Sequence, residues 1–241
     1  MDLLTARHCA EIERCNQRGG RMLSVLDLID AGTVSLELAA YLMARMTQGV
    51  SFLVGARPGG AGKTTVMCAL LNLFPADVEL VAATDGAVAR ATGPRRCFIC
   101  HEIGAGPYFA YLWGRELRAY CALTEQGHLL ATNLHADDLD EARDQIYGEN
   151  RVPMKHFNAF QLQLFLRVDG RGFRYDRRIA AVYASDGDHP HEIIYENGTL
   201  REMPDADSSR VGRCRAFLEE LLPTPVRTIG AVRDRVIAFL K

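Results

Sequence analysis

Residues 57–65 read Arg-Pro-Gly-Gly-Ala-Gly-Lys-Thr-Thr, and they carry the plainest chemistry in the chain. A loop that cradles phosphate needs backbone N–H groups converging on oxygen atoms, with side chains out of the way. Gly59, Gly60 and Gly62 supply that freedom. A helix starting at Lys63 aims its unpaired N–H groups and the positive end of its dipole at the anion. Lys63 then reaches the outer phosphates, and the Thr64 hydroxyl can hold Mg²⁺. Gly59, Gly60, Ala61, Gly62, Lys63, Thr64 and Thr65 are therefore the expected phosphate-binding set. The pattern G-x-x-x-x-G-K-[ST] asks for Gly at position 57, where this chain has Arg57.

Hydrolysis also needs an acid at the end of a nearby strand, to place Mg²⁺ or the attacking water. Glu102 follows the apolar run 97–100 and is the first candidate, both as catalyst and, with Thr64, as metal ligand. Asp85, at the end of the run 79–84, is the second.

The elements that must position these groups follow from periodicity. Leu36, Ala39, Ala40, Met43 and Met46 share a helical face after Ser35, an N-cap, and Gly49 ends that helix. Residues 50–55 read as a buried strand and 66–74 as an apolar helix stopped by Pro75. Runs 78–83, 97–100 and 129–132 read as strands; 115–123 and 138–147 read as helices. From Phe160 the period changes to two. Leu162, Leu164 and Leu166 alternate, as do Ile179, Ala181 and Tyr183, then Ile193 and Tyr195 after a turn at 186–190. Residues 203–210 read as a loop, and 211–222 and 226–241 as helices. Residues 1–20 are polar and give little signal. The order predicts an α/β fold, a mainly parallel sheet flanked by helices, with antiparallel strands and C-terminal helices; the strand, glycine turn, Lys-Thr and helix within it are the parts of a P-loop, and the resemblance given below implies the P-loop NTPase (RecA-like) kind. The expected organisation is an N-terminal helical segment 1–48, a core 49–200 and a helical tail 201–241.

Composition sets the frame. The 241 residues are 48% hydrophobic and 24% charged, ordinary for a globular chain that needs no staple. A net charge of −2 argues against general nucleic-acid binding, and no specific nucleic-acid partner is expected. The longest stretch free of Asp, Glu, Lys and Arg is 13 residues (64–76), too short to span a bilayer. No apolar leader opens the sequence, and seven cysteines read as reduced thiols, so a cytoplasmic location is expected. Cys97 and Cys100 fall on opposite faces of a strand, which disfavours zinc. His189-Pro190-His191-Glu192 and the arginines 167, 171, 174, 177 and 178 read as solvated turns. Tyr108, Phe109, Tyr111 and Trp113 read as local packing after a Gly-rich bend. No Asn-Lys-x-Asp segment is present to read guanine.

Four stretches resemble the PilT-like traffic ATPases of type II and type IV secretion and pilus systems, most of all the branch serving tight-adherence pili. Residues 26–35 resemble the helices that precede the P-loop in that family, and 57–65 stand at its Walker A position. Residues 97–102 fall where the family has an apolar strand ending in Gly-Glu, with His101 in place of Gly and Glu102 retained. Residues 127–136, Gly-His-Leu-Leu-Ala-Thr-Asn-Leu-His-Ala, resemble its His box, with His135 on the box histidine and Asn133 in place of Thr. Asp85 stands where the family has an Asp box.

The resemblance implies a motor-type ATPase using ATP and Mg²⁺, with His135 near the γ-phosphate. It implies a homo-oligomer, hexameric in the family, acting with protein partners of a secretion or pilus apparatus and meeting the membrane peripherally through them. The family's Arg just after Glu102 is replaced here by Ile103-Gly104, with Arg115 as its displaced counterpart. About 50 residues precede the P-loop, where the family has a full N-terminal domain that supplies arginines across the ring. The alternative from another class is a nucleotide-binding regulator or adaptor with little or no hydrolysis.

Overall fold

The computed structural model describes residues 3–16, 19–171, 174–201 and 207–241. The elements run α1 (Leu3–Arg14), α2 (Val25–Asp30), α3 (Leu36–Met46), β1 (Phe52–Gly55), α4 (Lys63–Leu71), β2 (Glu79–Ala82), α5 (Asp85–Ala89), β3 (Arg96–Ile103), β4 (Tyr111–Leu112) and α6 (Gly114–Cys121). They continue through β5 (Leu129–Leu134), α7 (Leu139–Arg143), α8 (Met154–Asn158), β6 (Leu162–Arg171), β7 (Arg174–Ala184), β8 (Glu192–Glu196), β9 (Thr199–Leu200), α9 (Ser208–Leu221) and α10 (Ile229–Phe239).

The strands form one sheet in the order β2-β3-β5-β1-β6-β7-β8-β9, with β4 beside the end of β3. From β2 to β6 every pairing is parallel; β6 to β9 pair antiparallel. This is the expected α/β architecture of a mainly parallel sheet with antiparallel strands and C-terminal helices, with one refinement. β6 is not the first strand of a separate antiparallel extension, because it pairs parallel with β1 on one side and antiparallel with β7 on the other. Parallel strands are covered on both faces, so β1 and β5 are buried at every residue. One buried cluster takes Phe52, Val54, Cys97, Leu129 and Leu164 on one face and packs them against residues of α1, α2, α3, α4, α9 and α10. The other takes Leu53, Phe98, Cys100, Leu130 and Phe165 against α6, α7 and α8. Cys97 and Cys100 thus sit on opposite faces, as an odd spacing on a strand requires.

Local signals account for most boundaries. Ser24 and Asp27 close a capping box on α2, and Ser35 accepts from Leu38 N–H at 3.2 Å to start α3. Asp138 caps α7, whose chain then loosens into a π-turn over Asp144–Glu149 in place of the continuous helix expected to 147.

Other differences have physical causes. The polar first residues form α1, because Thr5, His8, Cys9 and Ile12 bury one face at helical spacing despite mixed polarity. The alternation of Ile179, Ala181 and Tyr183 does not lie on one buried face. A bulge opposite Phe165/Leu166 shifts the register, so Ile179, Val182 and Ala184 are the buried residues. A second bulge between Val182 and Tyr183 does the same to β8, where Ile194 and Tyr195 turn inward. Of the loop expected at 203–210, residues 203–206 lie outside the described residues, and Asp207 caps a helix that already includes Ser208. No helix among the described residues is long and apolar enough to cross a membrane.

Candidate functional site

The glycine loop links the end of β1 to α4. Gly55 closes β1 under severe crowding: a Cβ there would lie 2.6 Å from both Ala136 O and the Phe165 ring. Gly60 and Gly62 hold φ of 83° and 98°, the left-handed region where only glycine is relaxed. Arg57 does not need to be glycine. It is absent from the positive-φ residues, its N–H donates to Asp137 Oδ1 at 2.7 Å, and its guanidinium forks onto both Glu141 oxygens. Gly62 starts α4 without a side-chain cap, and Lys63, Thr64 and Thr65 line the cavity in front of it.

Lys63 is buried, and its ammonium donates to Ala56 O at 3.0 Å. It lies 3.3 Å from His135 Nδ1 and 3.7 Å from Glu102 Oε1. The strand order places β5 between β1 and β3, so Glu102 comes from the second strand over and not the adjacent one. Glu102 also lies within β3 and not just past it, since the strand runs on to Ile103. Its Oε1 accepts no hydrogen bond and is 3.8 Å from His135 Nε2. Burial pushes the Glu102 carboxyl above the usual carboxylate range, with Lys63 and His135 pulling it back. His135 immediately follows β5, is half exposed, and contacts Arg57 O at 2.9 Å through Nδ1. Lys63, Glu102 and His135 thus converge on one floor.

Asn133, on β5, completes it. Its Nδ2 donates to His101 O at 2.8 Å and to Thr64 Oγ1 at 3.3 Å, while its buried Oδ1 has no hydrogen-bond partner. Above this floor opens a cavity of about 610 Å³, bounded by Cys15, Met22, Leu28, Thr33, Tyr111 and the β7 residues Tyr175, Asp176 and Arg177. That volume suits a ligand of nucleotide size.

Asp85 is not part of this site. It opens α5 and lines a separate cavity of about 570 Å³ with Tyr108, Trp113 and Glu116, while Tyr111 borders both cavities. Arg115 is 88% exposed, pairs with Glu116 and does not line the P-loop cavity. Arg177, expected in a solvated turn, instead donates from Nε to Gly60 O at 3.0 Å. Arg178 pairs with Asp169, and the side chains of Arg171 and Arg174 lie outside those described. His189 pairs with Asp186 and His191 contacts Phe160 O. No group of three metal-ligating side chains occurs among the described residues. Arg177 reaches the site through the register of β7, which no local string of residues announces, whereas Asn133 lies in the run 127–136 beside His135 but is not among the expected site residues. Cys15 arrives from the end of α1, a helix with a weak sequence pattern.

No family model matches the chain, and no curated protein matches it. Among solved structures, it is similar to the crystal structure of the VirB11 ATPase from the Brucella suis type IV secretion system in complex with sulphate. The two are 18% identical with a TM-score of 0.44, over 66% of this chain and 54% of the other. The chain therefore spans about half the length of that structure.

Proposed function

We propose that this chain binds ATP with Mg²⁺ and hydrolyses it, as a motor-type ATPase of the type II and type IV secretion and pilus class, nearest the tight-adherence branch. The observation that carries the reading is the convergence of Lys63, Glu102 and His135 beneath an uncapped helix start and a left-handed glycine loop. The residues fit the ligands. A Cβ at Gly59 would meet nothing within 4 Å, and the buried Glu102 Oε1 and Asn133 Oδ1 both lack a hydrogen-bond partner.

In this reading the amides at the start of α4 bind phosphate oxygens and Lys63 leaves Ala56 O to follow them. Thr64, with Glu102 behind it, holds the metal, and Asn133 orients the Thr64 hydroxyl. When bound, Mg²⁺ supplies charge neutralisation across the outer phosphates. Glu102 holds the attacking water and takes its proton; a carboxyl raised by burial is the better acceptor. His135 donates one hydrogen bond toward the γ-position, which distinguishes ATP from ADP. The working form is a cytoplasmic homo-oligomer that moves a partner assembly of a secretion or pilus apparatus.

A binding-only regulator is the second reading, favoured by the position of Arg115, which leaves the cavity without the family's arginine after Glu102. Phosphate release and ATP binding by the wild type and by Glu102→Gln separate the two. The expected result is retained binding with turnover lowered about 10²–10⁴-fold in the variant. Binding with no wild-type turnover in any oligomeric state selects the regulator, and absence of ATP binding removes both.

A further inference from the structure

Arg57 opens the glycine loop at the position where the P-loop pattern has glycine. Its backbone makes no use of glycine's freedom, since its φ is not positive. Its contacts instead tie the loop to the turn 135–138, which links β5 to α7. Ala56 N–H donates to Leu134 O at 3.1 Å, and Arg57 N–H donates to Asp137 Oδ1 at 2.7 Å. Arg57 O lies 2.9 Å from His135 Nδ1. The guanidinium then forks onto Glu141 of α7, Nε to Oε2 at 2.9 Å and Nη2 to Oε1 at 2.5 Å. Glu141 Oε2 also accepts from Asp137 N–H at 2.9 Å, so one carboxylate holds both the loop and the turn. Past α7, Gln145 Nε2 donates to His135 O at 2.7 Å. His135 is thus held from two sides, its ring by Arg57 O and its carbonyl by Gln145.

We propose that Arg57 is a positioning residue: paired with Glu141, it sets His135 against the glycine loop, so that restoring the consensus glycine weakens the site instead of improving it. Its effect on ATP rests on the nucleotide reading above, whereas the tie itself exists in the nucleotide-free chain. A forked arginine–carboxylate pair fixes the orientation of its partners as well as their distance. The Arg57 side chain is 63% exposed, so the pair adds little to global stability, and its consequence lies in local geometry. Glycine at this position would keep the two main-chain contacts and lose the fork. It would also add backbone freedom to a loop that already holds Gly59, Gly60 and Gly62. With the fork gone, the loop and the turn drift apart, and the contact from His135 toward the γ-position lengthens. The amides that hold the inner phosphates belong to the start of α4 and stay where they are.

The test compares the full chain with Arg57→Gly, Arg57→Met, Glu141→Gln and the double variant Arg57→Met/Glu141→Gln. Amide hydrogen exchange without nucleotide reads the tie. The Ala56 amide, buried and bonded to Leu134 O, should exchange about fivefold faster in each variant. Calorimetry with Mg²⁺ and either ATP or ADP reads the consequence. The preference for ATP over ADP should fall about fivefold, with ADP affinity within about twofold of the wild type. A purely structural role would not move that ratio. The double variant should match Arg57→Met alone, because a shared contact is lost only once. Tighter ATP binding or faster turnover in Arg57→Gly, unchanged exchange at Ala56, or additive losses in the double variant would overturn the proposal. Faster exchange with an unchanged ATP-to-ADP ratio overturns the positioning of His135. Absence of ATP binding by the wild type removes the nucleotide reading; faster exchange at Ala56 then still supports the tie, and unchanged exchange overturns it.

Discussion

The two ends of α4 each hold a buried cation, and the electrostatics differ in sign. At the C-terminal end Arg233, fully buried, donates to Asn72 O at 3.2 Å, to Phe74 O, and to Pro75 O at 3.2 Å. A cation there meets the negative end of the helix dipole and binds carbonyls of the cap and of the turn that follows the helix. At the N-terminal end Lys63 faces the positive end, where a cation is disfavoured. It is retained by a carbonyl, a buried carboxylate and an imidazole. The arrangement at Arg233 stabilises the fold; the arrangement at Lys63 works against the helix and makes sense once an anion arrives. Like residue types at the two ends of one helix therefore have different purposes, and substitution should separate them.

The largest stability effect is expected at the C-terminal end. Arg233→Met keeps the length of the side chain but leaves the carbonyls of Asn72, Phe74 and Pro75 without this donor. Unfolding in urea should show a loss of about 3 kcal/mol, while turnover per folded molecule stays within about twofold. A large loss of turnover in folded protein would mean that the two ends are not separable. His135→Ala should do the reverse. Loss of a hydrogen bond to a charged group lowers ATP turnover by roughly ten- to a hundredfold. Melting should not change, and ADP affinity should stay within about threefold, or roughly 0.6 kcal/mol.

The smallest effect sharpens the structural end. His8 packs close enough to Arg233 to feel its charge, and burial first, then Arg233, lower its pKa to about 3. Between that value and 6.5 the unfolded chain binds the proton and the folded chain does not, so stability falls as pH drops through this window. Between pH 7 and pH 5 this single group costs about 2 kcal/mol. His8→Leu should flatten that part of the profile; an unchanged slope in denaturant titrations at the two pH values would assign the acid sensitivity elsewhere.

The phosphate loop was legible because its chemistry is local: three glycines, Lys63 and Thr64 lie within six residues, and the flanking apolar runs set strand and helix. Glu102 and His135 were legible because each lies at the far end of a parallel strand, the end where the loop also opens. Asp85 shows where that logic stops. It too follows a parallel strand, yet β2 is the edge strand, three places from β1, and its end opens on another cavity. Arg177 depended on long-range register, and the inward faces of β7 and β8 depended on bulges that the alternation of side chains does not reveal. α1 was hidden because its buried face mixes Thr5 and His8 with Cys9 and Ile12.

The central claim is that the N-terminal end of α4 is built for the phosphates of a nucleotide. Titration calorimetry with ATP and Mg²⁺ on the wild type and on Lys63→Ala tests it most directly, with circular dichroism confirming that both are folded. The account expects wild-type binding, a variant that melts at or above the wild-type temperature, and affinity weakened about a hundredfold, close to 3 kcal/mol. Equal ATP affinity in the two proteins, or a Lys63→Ala chain that fails to fold, would contradict it.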